Sequence, residues 1–430
     1  MSTVPKKDAN VDLEEPTKLP FLRRVRIRGY KSIAFCDVSL QPLTIFVGRN
    51  ASGKSNFLDA LAFLRDAMKT SVSEAVNRRG GWSSVACRNP NTQKINFEIE
   101  VDFLSSDPQV ATYRLELSTE GNVAPIIATE SVEITDQATQ FSASFLVRDG
   151  KIYDWKSKPE SPGLIDIPHP RHLFSLYRDR LLLSVLGTPP FIDLWNGLRG
   201  MAFYNFIPEA MRRVQPPTSG QLLDQNGWNL ASVLDSTRKN DDWAFMRIGS
   251  YLSAVVREVE RFEAVRYGEF ETIHFWLSFN GPDHKLDFDA ANLSDGTLRA
   301  LAALTAAFQN VLPYGYPSVV GIEEPETALH PAAMRALVDA LDDATQRTQI
   351  LVTTHSADLL DNPTIRPENV RVVEMIDGQT VIGPLDDASV EIVRQKLDTL
   401  GGLERQNQLE PDLDDRERQR LLADNGQEPK

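Results

Sequence analysis

The sequence predicts an α/β fold with a mixed, mainly parallel core sheet, an antiparallel β lobe and an inserted helical lobe. Three observations predict it. A glycine-rich turn, Gly48 to Ser55, joins an apolar run to an amphipathic stretch. Residues 95–148 alternate apolar and polar side chains with a period of two, as half-buried strands do. After Leu293, helical and continuously apolar stretches alternate, the pattern of parallel strands linked by helices.

The elements follow in order. Residues 1–18 are polar, charged and proline-broken, and read as a disordered N-terminus. A first lobe runs from 19 to 150. It opens with the alternating strand Phe21-Leu-Arg-Arg-Val-Arg-Ile-Arg, continues with a buried strand at Leu43–Val47, and then a helix from about Lys54. That helix carries Phe57, Leu58, Leu61, Leu64 and Met68 on its apolar side. The antiparallel subdomain completes the lobe. Residues 151–270 read as a mostly helical insertion, broken at Pro189-Pro190 and Pro216-Pro217, with its clearest helix at Asp241 to Arg261. Residues 271–400 form a second lobe: strand Thr272–Phe279, helix Thr297–Leu312, buried strand Pro317–Ile322, helix Ala332–Asp343 and buried strand Gln349–Thr354. Residues 401–430 read as a polar C-terminal tail. No repeat of 20–50 residues and no sustained heptad pattern is present.

A chain of 430 residues buries a sizeable core without disulfides, and two cysteines, Cys36 and Cys87, exclude both a disulfide framework and a four-cysteine zinc site. No apolar run approaches the ~18–20 residues that cross a bilayer. With a polar start to the chain, the expectation is a soluble cytoplasmic protein without a membrane partner. Forty-six basic against 60 acidic residues give a net charge of −14, which argues against an all-round coat for nucleic acid but leaves a local groove open. Basic residues gather at Arg23, Arg24, Arg26, Arg28 and Lys31, at Arg78-Arg79, across Arg171 to Arg180, and at Arg212-Arg213, with Trp82, Phe203 and Tyr204 as stacking candidates. The other reading is ordinary solvated strand and helix faces.

Four motifs carry chemistry. Gly48-Arg49-Asn50-Ala51-Ser52-Gly53-Lys54-Ser55 matches G-x-x-x-x-G-K-[ST] in full, between a strand and a helix, with Asn56 following. Its backbone N–H groups can cradle phosphate oxygens, Lys54 can reach the β- and γ-phosphates of ATP, and the Ser55 hydroxyl can ligate Mg²⁺. Such a loop defines a P-loop NTPase. The apolar run Pro317-Ser-Val-Val-Gly-Ile ends in Glu323-Glu324-Pro325-Glu326. There Glu323 suits the metal, and Glu324 suits a base that orients and deprotonates the attacking water. Leu293-Ser294-Asp295-Gly296-Thr297, taken alone, is a helix N-cap. Thr353-Thr354-His355, taken alone, is a structural histidine after a strand. Their order and spacing relative to the first two motifs change both readings.

In that order the four motifs resemble the ABC-type ATPase head of the RecF, SMC and OLD families, and in particular the bacterial group of small "AAA family" ATPases, many of them in phage-defence operons. Arg26-Ile-Arg-Gly-Tyr-Lys-Ser32 looks like the opening strand of that group, and Glu324 to Pro331 like its stretch after the acids. The resemblance covers about 21–103 and 270–385. It implies two subunits closing head to tail around two ATPs. Leu293, Ser294, Asp295, Gly296 and Thr297 then serve the partner's nucleotide, His355 contacts the γ-phosphate in cis, and Thr327 to His330 run along the dimer seam. The metal acid is usually Asp, so the longer Glu323, shared with OLD-like relatives, implies slow hydrolysis. No Q-loop glutamine stands out: Phe203-Tyr-Asn-Phe-Ile-Pro208 is a candidate for that place and carries no glutamine.

Ser55 and Leu293 lie 238 positions apart, too close for coiled-coil arms between them, and the 75 residues after His355 are too few for a TOPRIM nuclease. His169 and His172 lack further ligands for a metal. The first expectation is therefore an ATP-gated homodimer that acts as sensor or scaffold for a separate effector protein in anti-phage defence. The alternatives are a RecF-like, DNA-bound ATPase of repair or chromosome maintenance, and a nucleotide-dependent interaction protein with negligible hydrolysis.

Overall fold

The computed structural model describes residues 22–87, 97–104, 109–119, 125–136, 142–158, 179–186, 190–279, 285–310 and 315–425. The expectations for residues 1–18, for His169 and His172, and for Arg171 to 178 lie outside these.

The chain begins with the hairpin β1 (Leu22–Tyr30) and β2 (Ile33–Ser39), followed by β3 (Leu43–Val47), α1 (Lys54–Lys69), α2 (Val72–Asn77) and α3 (Trp82–Val85). An antiparallel run follows: β4 (Phe97–Leu104), β5 (Gln109–Ser118), β6 (Ile126–Asp136), β7 (Ser142–Arg148) and β8 (Lys151–Lys158). Then come α4 (Leu183–Leu186), α5 (Ile192–Arg199), β9 (Ala202–Tyr204), α6 (Pro208–Arg212), α7 (Leu230–Asn240), α8 (Asp242–Val255), β10 (Val259–Tyr267), β11 (Phe270–Ser278) and β12 (Lys285–Asp289). The last part is α9 (Asp295–Phe308), β13 (Val319–Glu323), α10 (Pro331–Ala344), β14 (Gln349–Thr354), α11 (Ala357–Leu360), β15 (Val370–Ile376), β16 (Gln379–Gly383), α12 (Asp387–Arg394), α13 (Leu400–Arg405) and α14 (Leu413–Asn425).

Among the described residues the strands form three sheets. The core sheet has the order β16-β15-β3-β14-β13-β9, parallel throughout except for β16. Its central strands are apolar on both faces because both are covered. Ile45, Val47, Val320, Ile322, Ile350 and Val352 face one core with α8, α9 and α10. Phe46, Val319 and Leu351 face the other with α1 and the antiparallel sheet, whose order is β2-β1-β4-β5-β6-β7-β8. The third sheet is β10-β11-β12.

Several boundaries differ from the sequence reading. The division at 150 falls inside the β7–β8 hairpin, whose turn residues Asp149 and Gly150 both have positive φ (47° and 73°). That is the Asp-Gly pair a tight hairpin turn needs. The helix expected to reach Arg261 stops at Val255, because Val259 onward pairs with β11 as β10. The division at 270 therefore cuts a second hairpin. The expected polar tail from 401 instead contains α13 and α14. On α14 the buried Gln419 side chain donates to Ile382 O (2.6 Å) and accepts from Ile382 N–H (3.2 Å), capping the edge strand β16.

Candidate functional site

The phosphate loop lies between β3 and α1, and two glycines permit its path. Gly48 (φ 155°) passes so close to the Val373 carbonyl that a β-carbon there would collide with it. Gly53 (φ 105°) passes Thr380 Oγ1 in the same way, and that hydroxyl donates to Ser52 O (2.8 Å). The exposed Ala51 is also left-handed, at φ 63°. Lys54 is 6% exposed, and its Nζ donates to Gly48 O (2.6 Å) and Arg49 O (2.9 Å). Burial lowers its pKa, against the pull of Glu324, Glu404, Glu326 and Glu323. Asn50 is exposed. Asn56 turns away from the loop and donates to Ser32 Oγ (2.6 Å).

The acids lie at the end of β13, where Glu323 is in register with Thr353 of β14. Ser55 Oγ donates to Glu323 Oε2 (2.5 Å). Burial raises the Glu323 pKa, and the neighbouring Glu324 and Asp59 raise it further. Glu324 has φ 43°, a left-handed conformation that costs a residue with a β-carbon roughly 1–2 kcal/mol. Its N–H donates to Thr353 O (2.9 Å), and its Oε1 lies 3.2 Å from His355 Nδ1. Phosphate loop, both acids and His355 thus converge at the C-terminal ends of parallel strands.

Glu326 was not singled out by the sequence. It is 4% exposed, takes the Thr354 hydroxyl on Oε1 and has no hydrogen-bond partner for Oε2. Burial raises its pKa. The only signal for it was a third acid beyond the pair.

Leu293–Thr297 is held by other parts of the chain. Ser294 caps α9, accepting from Thr297 N–H (3.2 Å), and Arg212 donates to Leu293 O (2.9 Å) and pairs with Asp295. Gly296 is pressed against the Ala328 carbonyl, where a β-carbon would collide. The segment Phe203–Pro208 lies beside the acids. Tyr204 is in register with Ile322, so Asn205 follows level with Glu323. Asn205 N–H donates to Gln225 O (2.9 Å), which brings a glutamine to this edge from a later loop.

Many basic residues of the expected clusters are paired with acids, while Arg23 is exposed. Arg24 pairs with Asp37, Arg26 with Glu100 (2.6 Å), Lys31 with Asp59 (2.5 Å), Arg79 with Asp59 and Asp66, Arg78 with Glu74, and Arg212 and Arg213 with Glu209. Phe203 and Tyr204 are buried and unavailable for stacking on bases.

The site suits a magnesium-bound nucleoside triphosphate. Ser52 Oγ is a buried polar atom of the loop without a protein partner, the buried Lys54 ammonium sits among the loop carbonyls, and Ser55 and Glu323 meet as two oxygen donors for a hard cation. No group of three or more His, Cys, Asp or Glu able to hold a metal, and no helix long and apolar enough to cross a membrane, occurs among the described residues.

One solved structure supports the fold. The crystal structure of an SMC head bound to the C-winged helix domain of ScpA matches with a TM-score of 0.50 at 13% identity, over 86% of this chain and 99% of that one. The Pyrococcus furiosus Smc head with an extended coiled coil, bound to the C-terminal domain of ScpA, matches with a TM-score of 0.49 at 11% identity, over 88% of this chain and 100% of that one. No curated protein matches the sequence. The architecture is that of the ABC-type P-loop ATPase head, without coiled-coil arms among the described residues. Residues 43–361 match the model of one family, and the chain belongs to it: AAA_21, "AAA domain, putative AbiEii toxin, Type IV TA system".

Proposed function

We propose that this chain binds ATP with Mg²⁺, hydrolyses it slowly, and closes head to tail with a second copy around two ATPs, so that a separate effector protein reads the nucleotide state in anti-phage defence. The observation that carries the reading is the convergence at one site of buried Lys54, the Ser55–Glu323 contact, and Glu324 held at φ 43° against His355. A non-glycine residue kept in a strained conformation at a cluster of charged groups is a mark of function.

In this reading the backbone of Gly48–Gly53 and the Lys54 ammonium hold the β- and γ-phosphates, while Ser55 and Glu323 hold the metal. The metal supplies charge neutralisation on the phosphate oxygens. Glu324 orients the attacking water and takes its proton. His355, 3.2 Å from Glu324, fixes that carboxylate and reaches the γ-phosphate. Leu293–Thr297, at the start of α9 and fastened by Arg212 and Ala328, presents the Ser294 hydroxyl and the Gly296 N–H to the other copy's nucleotide.

The pairing of Arg24, Arg26 and Arg79 with acids favours a protein partner over nucleic acid at that face. The SMC head of similar fold is itself bound to a domain of another protein, and the family description names a putative toxin of a Type IV TA system. Both support a two-component role.

The test is the solution mass of Glu324→Gln with and without Mg²⁺ and ATP, beside Lys54→Ala. A shift from 48.1 kDa to about double that mass, absent in Lys54→Ala, is expected. A monomer in both conditions sinks the shared site, and normal ATP affinity in Lys54→Ala sinks the phosphate-loop assignment. Salt-sensitive DNA binding that stimulates turnover would replace the effector reading with the DNA-bound one.

A further inference from the structure

The phosphate loop rests on the hairpin β15–β16, which belongs to none of the four motifs of the site. At one end of the loop Gly48 is pressed against the Val373 carbonyl of β15, and at the other Gly53 is pressed against Thr380 Oγ1 of β16. Thr380 is 1% exposed and is in register with Met375 across the hairpin. Its N–H donates to Ser32 O at the β1–β2 turn (2.8 Å), so two turns distant in sequence meet behind the loop.

The side chains there form a hydrogen-bonded relay with one possible direction. Thr380 Oγ1 has one proton and gives it to Ser52 O (2.8 Å), because a carbonyl only accepts. Ser32 Oγ must then donate to Thr380 Oγ1 (2.7 Å), across 348 positions, and it accepts in turn from Asn56 Nδ2 (2.6 Å). The relay ends on the peptide that joins Ser52 to Gly53. In a planar trans peptide the C=O and the N–H point to opposite sides. Holding Ser52 O against Thr380 therefore turns the Gly53 N–H to the side away from β16.

We propose that Thr380 is a positioning residue of the nucleotide site, with Ser32 and Asn56 orienting its hydroxyl, and that the relay sets the 52–53 peptide to donate to a phosphate oxygen before nucleotide arrives. This rests on the reading of the loop as nucleotide-binding. Gly53 has no β-carbon to resist rotation, so an unanchored peptide is free to turn over and present its carbonyl, which repels a phosphate. The Thr380 hydroxyl removes that alternative, and the cost of ordering the loop is then met in folding rather than in binding.

The experiment is titration of the full chain with the N-methylanthraniloyl derivatives of ATP and ADP in Mg²⁺, with a thermal melt of each protein. Thr380→Val keeps the shape without the hydroxyl, Thr380→Ser keeps the hydroxyl, and Gln419→Ala loosens the same strand at Ile382 without touching the relay. Thr380→Val is expected to bind both derivatives about tenfold more weakly and by similar factors, since the backbone N–H groups cradle phosphates that both carry. Thr380→Ser should bind within about twofold of wild type, and Gln419→Ala should melt lower at unchanged affinity. Wild-type affinity in Thr380→Val overturns the proposal. So does an equal loss in Gln419→Ala or no rescue in Thr380→Ser, either of which would make the effect one of strand packing. Should Thr380→Val fail to fold, Ser32→Ala decides: it leaves Thr380 its proton but removes the donor that orients it, so about threefold weaker binding is expected and wild-type affinity overturns the proposal. A wild type that binds neither derivative would sink the nucleotide reading itself, and this proposal with it.

Discussion

Ser55 Oγ donates a 2.5 Å hydrogen bond to Glu323 Oε2, fastening the first turn of α1 to the end of β13. The two oxygens come from elements 268 positions apart in sequence, and the parallel register of β3, β14 and β13 brings them together. A hard cation between them would replace this contact with two metal–oxygen bonds. Glu323→Gln removes the charge and keeps the shape, so the Mg²⁺ concentration for half-maximal ATP binding should rise about tenfold or more. A magnesium titration of nucleotide binding reads this directly. An unchanged requirement would place the metal elsewhere. Because burial holds the Glu323 pKa high, lowering the pH should raise the wild-type Mg²⁺ requirement as protons compete for the carboxylate, and this dependence should be flattened in Glu323→Gln.

Glu324 trades stability for position. Its φ of 43° suits glycine, and its carboxylate beside His355 suits a base. Glu324→Gly should therefore raise stability to urea by about 1 kcal/mol while turnover falls roughly 10²- to 10⁴-fold. A variant that is both less stable and as active as wild type would show that neither the strain nor the acid matters.

The parts of this site that were legible in the sequence are those written locally. An apolar strand, a glycine turn and an amphipathic helix specify β3, the loop and α1 within thirty positions, and the runs before Glu323 and His355 give β13 and β14 the same way. Helix α13 was illegible because it is placed by packing against α11 through Gly401 and Arg405, contacts that follow no sequence period. The neutralised arginines were illegible for a related reason. Arg26 finds Glu100 only because β1 pairs with β4 across 74 positions. The helix expected to reach Arg261 ran too far because a period of 3.6 and a period of two agree over the few residues around Val255-Val256, and the pairing with β11 decides between them.

Gly296 has a structural duty that the sequence motif conceals. A β-carbon there would meet the Ala328 carbonyl, and Ala328 is itself left-handed at φ 67°. Neither backbone can yield without moving the start of α9 or the loop after the acids. Gly296→Ala should cost about 1–3 kcal/mol in urea unfolding, on top of any loss of turnover. Wild-type stability with lost turnover would mean that the glycine serves the nucleotide alone.

Glu130 supplies a pH dependence far from the nucleotide. It is 1% exposed on β6 and accepts from Leu182 N–H (2.6 Å), Leu183 N–H (3.1 Å) and the Tyr113 hydroxyl (3.2 Å), tying the antiparallel sheet to the start of α4. Burial pushes its pKa up to about 7, and the three hydrogen bonds only partly offset that. A folded pKa above the unfolded value of 4.5 means that the native state holds the proton more tightly. Its contribution to stability is then fully present below about pH 4.5 and is lost as the pH rises through about 7, a change of about 3 kcal/mol across that window. Glu130→Gln cannot titrate, and its amide nitrogen meets the Leu182 N–H, so the variant should be less stable than wild type near pH 5 by about 1–3 kcal/mol. The gap should narrow or reverse near pH 8, where the wild type must bury a charge. Urea unfolding of both proteins at the two pH values gives the difference, from which all other titrating groups cancel. A gap that stays constant from pH 5 to 8 would show that Glu130 remains in one protonation state throughout.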